Sequence, residues 1–254
     1  MEQYTDFASV YDELMDETPY EQWCENVLHV FEEFKIKDGL VLELGCGTGS
    51  MTELLAAKGY DMIGVDYSEE MLNIAQNKKI ESGHDILYLN QDMREFELYG
   101  TVKAVVSICD SVNYLLEDED VTACFKLVNN YLDPKGIFFF DFNTDYKYET
   151  VIGDSVIAEN RDDCSFIWEN YYDVEEKINE YDLTVFVQEE SKSGEQLFRR
   201  FQETHLQRGY SLEEMKHFIE EAGMEFIKAI DADTLSEVTE TSERIYCIAR
   251  ENGK

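Results

Sequence analysis

Basic residues are scarce in this chain: 21 Lys and Arg stand against 56 Asp and Glu in 254 residues, a formal charge of −35. That shortage argues against binding nucleic acid or an anionic membrane, since both need a cationic surface. The acids are spread evenly, as expected of a solvated, solubility-promoting surface. Proline is nearly absent, with only Pro19 and Pro134, so there is no room for a proline-rich linker. No run approaches the ~18 uninterrupted apolar residues needed to span a bilayer. The opening Met1-Glu-Gln-Tyr-Thr-Asp6 is acidic where a signal or transit peptide would be basic. A cytoplasmic setting with reduced thiols is therefore expected. Cys24, Cys46, Cys109, Cys124, Cys164 and Cys247 form no C-x-x-C pair, and His29, His84, His205 and His217 show no H-x-x-x-H spacing. Neither a metal nor a disulfide scaffold is expected. Apolar material is plentiful: 44% hydrophobic and 13% aromatic residues exclude intrinsic disorder despite the charge. The length suits one large domain, or one domain carrying an insertion.

Residues 20–35 place Trp23, Val27, Val30, Phe31 and Phe34 at helical spacing. Strands are then expected over 39–44, 61–65, 86–89, 104–109 and 137–142, the last entered through the turn Asp133-Pro-Lys-Gly136. Helices are expected between them over 50–58, 68–82 and 118–132. This alternation predicts an α/β fold, a doubly wound Rossmann-like parallel sheet with helices on both faces. From about Asp145 to Gln207 the helical period vanishes. Alternating segments such as Ser165–Tyr172 and Tyr181–Val187, with turn signals at Glu175–Lys177 and Lys192–Gly194, predict an antiparallel meander of about four strands. Helical period resumes at the capping box Ser211-Leu-Glu-Glu214 and stops at Gly223, and strands near 225–230 and 245–249 close the chain. Residues 144–207 are thus expected as a β insertion in a domain formed by 1–143 and 208–254, with residues 1–35 as an N-terminal lid helix.

The strongest chemical signal is Val41-Leu-Glu-Leu-Gly-Cys-Gly-Thr-Gly49. A buried strand ends with Glu43, and a loop with glycine at 45, 47 and 49 opens a helix, so backbone can turn sharply and approach a ligand closely. Asp66 ends the next strand, about 20 residues on, where a carboxylate can accept both hydroxyls of a ribose. It competes with an N-cap role there, as does Ser68. Gln91-Asp92-Met93 follows the third strand, where an acid can take the amine of an adenine, and Cys109-Asp110-Ser111 follows the fourth, at the edge where open α/β sheets hold ligands. The spacing fits one nucleoside lying across the strand ends. Cys46 and Cys109 read as small space-fillers.

These residues resemble those of class I S-adenosylmethionine-dependent methyltransferases, over most of 36–142 plus the final helix and strands. The E-x-G-x-G-x-G form is that family's, whereas the dinucleotide fingerprint fails because Ser50 occupies its third station. The resemblance implies that Gly45–Gly49, Cys46 included, faces the methionine and ribose of the cofactor, with Glu43 near the methionine amine. It also implies that Asp66 holds the ribose and that Tyr67 and Met71 lie beside the adenine. Gln91, Asp92 and Met93 would read the adenine edge, and Cys109, Asp110 and Ser111 would lie below the sulfonium. The start, Tyr4-x-x-Phe7-Ala-x-Val-Tyr11-Asp12 then Tyr20-x-x-Trp23, is similar to that of small-molecule enzymes of the glycine N-methyltransferase type, where it folds over the cofactor. Tyr4 and Tyr11 become candidate contacts.

Methyl transfer is an in-line displacement in which the protein mainly aligns the nucleophile within about 3–3.5 Å of the methyl. The sulfonium's charge disperses in the transition state, so acids should grip ribose, adenine and amine and leave the sulfur alone. An amine or hydroxyl nucleophile can require a proton acceptor, and His205, leaving the insert just before the last helix, is the candidate. Arg208 and Arg199-Arg200 are candidates for a substrate carboxylate, in competition with surface acids. The stripe Trp168, Tyr171, Tyr172, Phe186, Phe198 and Phe201 fits sheet core better than a substrate box. A small-molecule methyl acceptor is expected. The alternatives are a protein or RNA methyltransferase, an inactive cofactor-binding regulator and, last, a nicotinamide oxidoreductase. The sequence leaves the acceptor and the oligomeric state open.

Overall fold

A computed structural model of the chain describes Tyr4, residues 7–189 and residues 196–254. Five parallel strands, β1 (Leu40–Leu44), β2 (Asp61–Asp66), β3 (Ile86–Asn90), β4 (Val102–Ser107) and β5 (Leu132–Asn143), share one sheet with β10 (Met224–Asp231) and β11 (Arg244–Glu251). The order is β3-β2-β1-β4-β5-β11-β10, and β11 runs antiparallel to both neighbours. Strand order switches between the parallel neighbours β1 and β4, with β2 and β3 on one side and β5 on the other, so the carboxyl ends of these strands frame a crevice.

Strand alternation divides the core into two layers. Along β5, Phe138, Phe140 and Phe142 face helices α5 (Asp118–Tyr131) and α6 (Leu212–Glu221), whereas Ile137 and Phe139 face α2 (Tyr20–Glu33), α3 (Ser50–Ala57) and α4 (Glu69–Ser82). Asp141 occupies the next position in the second row and is fully buried, a charged residue in the otherwise apolar run Ile137–Phe142. Helix ends follow their local chemistry. Ser68 caps α4 by accepting from the Met71 N–H at 3.1 Å, which settles its competition with Asp66 for that role. Ser211 and Glu214 form the reciprocal capping box of α6, and Gly223 follows it at φ 80°.

The N-terminal lid helix expected over 1–35 is two helices, α1 (Ala8–Leu14) and α2, with Pro19 at the N-cap of the second. The turn expected at Asp133–Gly136 lies inside β5 as an irregularity. Lys135 is left-handed at φ 64°, its N–H bonded to Glu251 at 2.9 Å, and the β4 register shifts beside it. After β5 comes a π-helical turn, Lys147–Ile152, which no sequence period announces. Strands β6 (Val156–Asn160), β7 (Cys164–Asp173), β8 (Ile178–Glu189) and β9 (Leu197–Arg208) follow as a separate antiparallel sheet in chain order. The turn signal at Lys192–Gly194 lies outside the described residues. One face of this sheet packs on α1, with Val10, Leu183 and Val185 at the centre and Phe166, Trp168 and Phe201 around them. The aromatic stripe is therefore divided: Trp168 and Phe201 join that core, Tyr172 stacks on Tyr148, and Tyr171 and Phe198 are exposed.

Candidate active site

The carboxyl ends of β1, β2 and β4 and the N-terminal segment enclose a cavity of about 330 Å³. Its floor is the glycine turn, and the three glycines do different work. A Cβ on Gly45 would strike the Ser111 side chain at 2.5–2.6 Å, and one on Gly49 would strike the Tyr88 hydroxyl. At Gly47 a Cβ would meet nothing within 4 Å, and the residue is left-handed at φ 52°. Gly45 and Gly49 are thus required by packing, while Gly47 holds open the surface facing the cavity.

Two carboxylates flank this turn. Asp66 Oδ2 accepts from the Gly47 N–H at 2.7 Å and Oδ1 from the Ser68 N–H at 2.9 Å. Burial raises its pKa above the ordinary value, against these hydrogen bonds. Glu43 is 3% exposed and accepts from Thr52 Oγ1. Burial, partly relieved by Thr52 and reinforced by Asp66, pushes its pKa up to about 8. Asp92, on the opposite wall, is held by Arg94 at 2.6 and 2.9 Å, and Arg94 reaches on to Asp120. Burial opposes charge on Asp92, but Arg94 prevails and its pKa is lowered.

After β4 the backbone is strained. Cys109 and Asp110 are both left-handed, at φ 62° and 53°. Their N–H groups donate to the buried Asp141 at 3.2 and 2.8 Å, which holds the bend. Arg244 bridges Asp141 at 2.8 Å and Asp110 at 2.5 Å, and Gln207 donates to Asp110 at 2.7 Å. Burial and the neighbouring Asp110 push the Cys109 thiol up to about 12, and burial also raises Cys46, so neither is an activated thiolate.

Phenols form the roof. The Tyr4 and Tyr114 hydroxyls are 2.6 Å apart, and Tyr114 also meets the Tyr181 hydroxyl at 2.7 Å and His205 Nδ1 at 3.3 Å. His205 is fully buried and stacked on Tyr181, with Nε2 3.4 Å from Glu203 Oε2. The Tyr11 hydroxyl lies 3.9 Å from Cys109 Sγ.

Of the residues singled out in the sequence, Tyr4, Tyr11, Glu43, Gly45, Cys46, Gly47, Asp66, Tyr67, Met71, Gln91, Asp92, Met93, Cys109 and Ser111 line the cavity. Gly49, Asp110 and His205 stand behind that lining: Gly49 under Tyr88, Asp110 turned to Arg244, and His205 behind Tyr4 and Tyr114. Arg208 is committed elsewhere, to Asp118 at 2.7 Å and to the Tyr210 ring. Sequence reasoning missed Tyr114, Asp141 and Arg244. The interruption of the apolar run Ile137–Phe142 by Asp141 was the available signal.

Residues 41–136 match the family described as Methyltransferase domain. The chain is 39% identical over 250 residues to YqeM of Bacillus subtilis (strain 168), a protein named for methyltransferase activity, covering 98% of this chain and 97% of that one. The crystal structure of an S-adenosylmethionine-dependent methyltransferase from Clostridium acetobutylicum ATCC 824 superposes with a TM-score of 0.87 at 28% identity, over 99% of this chain and 100% of that one. A Streptomyces venezuelae dTDP-3-amino-3,4,6-trideoxy-alpha-D-glucopyranose N,N-dimethyltransferase is 33% identical over 97 residues, 38% of this chain and 39% of that one.

Proposed function

The chain belongs to the class I S-adenosylmethionine-dependent methyltransferases, and we propose that it methylates a small molecule in the cavity between the glycine turn and the phenolic roof. When bound, S-adenosylmethionine supplies an electrophilic methyl on a sulfonium. The single observation that carries the residue assignment is the pairing of Asp66 with the open Gly47 position. A carboxylate and a backbone N–H stand together where no side chain fills the space.

In this reading Asp66 takes the ribose hydroxyls, and Tyr67, Met71, Gln91, Asp92 and Met93 border the adenine. Glu43 faces the methionine ammonium, whose charge favours its ionised form. Tyr4, Tyr11, Cys109 and Ser111 surround the transfer point and exclude water. Asp141 and Arg244 act behind them, fixing the bend that presents Cys109. His205 works through Tyr114: the acceptor's proton passes to the Tyr114 oxygen as the Tyr114 proton passes to His205 Nδ1, 3.3 Å away. The inserted sheet serves as the lid that selects the acceptor, because β9 supplies His205 and Glu203 and α1 rests on its core. A small acceptor suits a cavity of about 330 Å³, and the named activity of the Streptomyces venezuelae relative is on a sugar nucleotide.

The test is calorimetric titration with S-adenosylmethionine and its demethylated product, followed by a screen of small metabolites for transfer of labelled methyl. Saturable 1:1 binding of both compounds and labelling of a small molecule are expected. Labelling confined to protein or RNA would refute the small-molecule assignment.

A further inference from the structure

Four phenols, Tyr4, Tyr11, Tyr20 and Tyr114, line the cavity around the bend after β4, and all four are half-buried. The Tyr4 ring stands 5.9 Å from Tyr11 at 74° and 5.8 Å from Tyr114 at 57°, so the rings wall a corner from different planes instead of stacking. The Tyr11 hydroxyl reaches Cys109 Sγ, and the Tyr11 and Tyr20 hydroxyls face each other. Tyr20, met edge-on by Trp23 with ring centroids 5.6 Å apart, is the member that no assigned role uses. Burial raises the pKa of all four above the ordinary tyrosine value, so this box is aromatic and uncharged at neutral pH.

Charge in the cavity is one-sided. Its lining carries the carboxylates of Glu43, Asp66 and Asp92, and among the described lining residues Arg94 is the one cation. Arg94 is already committed, to Asp92 at 2.6 Å and to Asp120 at 3.1 Å. With Glu43 ionised by the cofactor's ammonium, and the cofactor itself carrying one positive charge, these groups leave the cavity one negative charge in excess. A protonated amine removes that excess. A carboxylate doubles it and finds no uncommitted cation among the described lining residues.

We infer that the methyl acceptor is an amine, and that Tyr20 with the neighbouring phenols selects it by stabilising the ammonium formed at transfer. The amine enters protonated and gives one N–H proton to the Tyr114 oxygen as the Tyr114 proton passes to His205 Nδ1. The nitrogen's freed electron pair forms the N–CH3 bond while the S–CH3 bond breaks and its pair stays on sulfur, leaving a neutral thioether. Positive charge thereby moves from sulfur to nitrogen, into the corner where aromatic rings and phenol oxygens attract a cation. A hydroxyl acceptor that loses its proton ends neutral and draws nothing from the box. An uncharged box also lets the product leave, since a carboxylate in its place would hold the new ammonium as an ion pair. This inference rests on the small-molecule methyltransferase reading and deepens it.

The experiment loads the intact protein with the demethylated cofactor and measures binding of aryl, alkyl and sugar amines at neutral pH. Each amine is matched with the alcohol and the carboxylic acid of the same skeleton. At least one amine is expected to bind about 10-fold or more tightly than both counterparts, and to take up labelled methyl from S-adenosylmethionine where they do not. Tyr20→Leu should cut the amine-over-alcohol preference at least ~3-fold while cofactor affinity stays within about 2-fold, and Tyr20→Phe, which keeps the ring, should retain most of it. No amine preference across the panel, labelling of an alcohol or acid in place of its amine, or a Tyr20→Leu protein with full preference overturns the inference. The panel is read on the unsubstituted protein, so a Tyr20→Leu protein that fails to fold leaves that comparison decisive. Failure of the unsubstituted protein to bind the cofactor would instead overturn the parent reading.

Discussion

Glu43 is a buried acid one residue before the end of β1, and this makes the proton content of the site depend on pH. Its folded pKa of about 8 lies above the ~4.3 of an unfolded glutamate, so its contribution to stability is complete below that lower value and lost as pH rises through 8. Unfolding free energy should therefore fall between about pH 5 and 8 by up to ~1.4 kcal/mol per unit, and Glu43→Gln should flatten that slope in denaturant titrations. Binding the cofactor's ammonium should expel the Glu43 proton, seen as a binding heat near pH 7 that depends on the buffer's ionisation enthalpy and loses that dependence in Glu43→Gln. Asp66→Ala removes a charged acceptor from Gly47 and from the ribose, and should weaken cofactor binding by about 1.5–3 kcal/mol, roughly 10- to 150-fold. Calorimetry that finds unchanged affinity removes Asp66 from that role. Tyr114→Phe and His205→Asn should each lower kcat about 100-fold in steady-state assays, with little further loss in the double variant. These carboxylates and glycines were legible in the sequence because each is placed by a strand end, and strand ends are what period-two and turn signals locate. Asp141 and Arg244 were not, since their pairing spans 103 positions and only the folded sheet brings β5 and β11 side by side.

Strand β9 carries a second function that its alternation alone did not reveal. Glu203 accepts from the N–H groups of Tyr4 and Phe7 at 2.7 and 2.9 Å, and Ser68 donates to the Tyr4 carbonyl at 2.8 Å. The N-terminal segment is thus tied to the inserted sheet and to the first turn of α4, above the cavity. Glu203→Gln replaces a charged acceptor with a neutral amide and should loosen that tie by about 1–3 kcal/mol. The expected result is faster amide exchange across Ala8–Leu14 and faster cofactor release, with protection in β1 and β4 unchanged. Helices α2 to α6 and the meander were readable as elements because each is long enough to repeat its period. Helix α1 and the turn Lys147–Ile152 span 7 and 6 residues, too short for a period to show, and their positions are set by what they pack on. The Asp133–Gly136 segment shows the converse error. Its turn residues are real, but β4 and Glu251 recruit it into the strand.

At the scale of the whole molecule, the reversed last strand of the seven-stranded sheet and a four-stranded insertion whose ends meet at the Thr144–Tyr210 bridge follow the layout expected from the order of elements. Net charge, also visible in the sequence, bears on kinetics more than on fold. A charge of −35 surrounds the cavity with a negative potential that attracts cations at low ionic strength. S-adenosylmethionine carries a net positive charge at neutral pH through its sulfonium and ammonium, whereas the demethylated product carries none. The association rate of the first should fall as salt rises from about 10 to 300 mM, by ~10-fold, as the Debye length contracts from ~30 Å to below 8 Å. That of the second should hardly change. Stopped-flow binding of both compounds across that range separates steering from contact. Parallel salt dependence would place the effect in the protein's own conformation, while divergence would show that the acidic surface steers cationic cofactor toward the cavity and favours departure of the neutral product over its return.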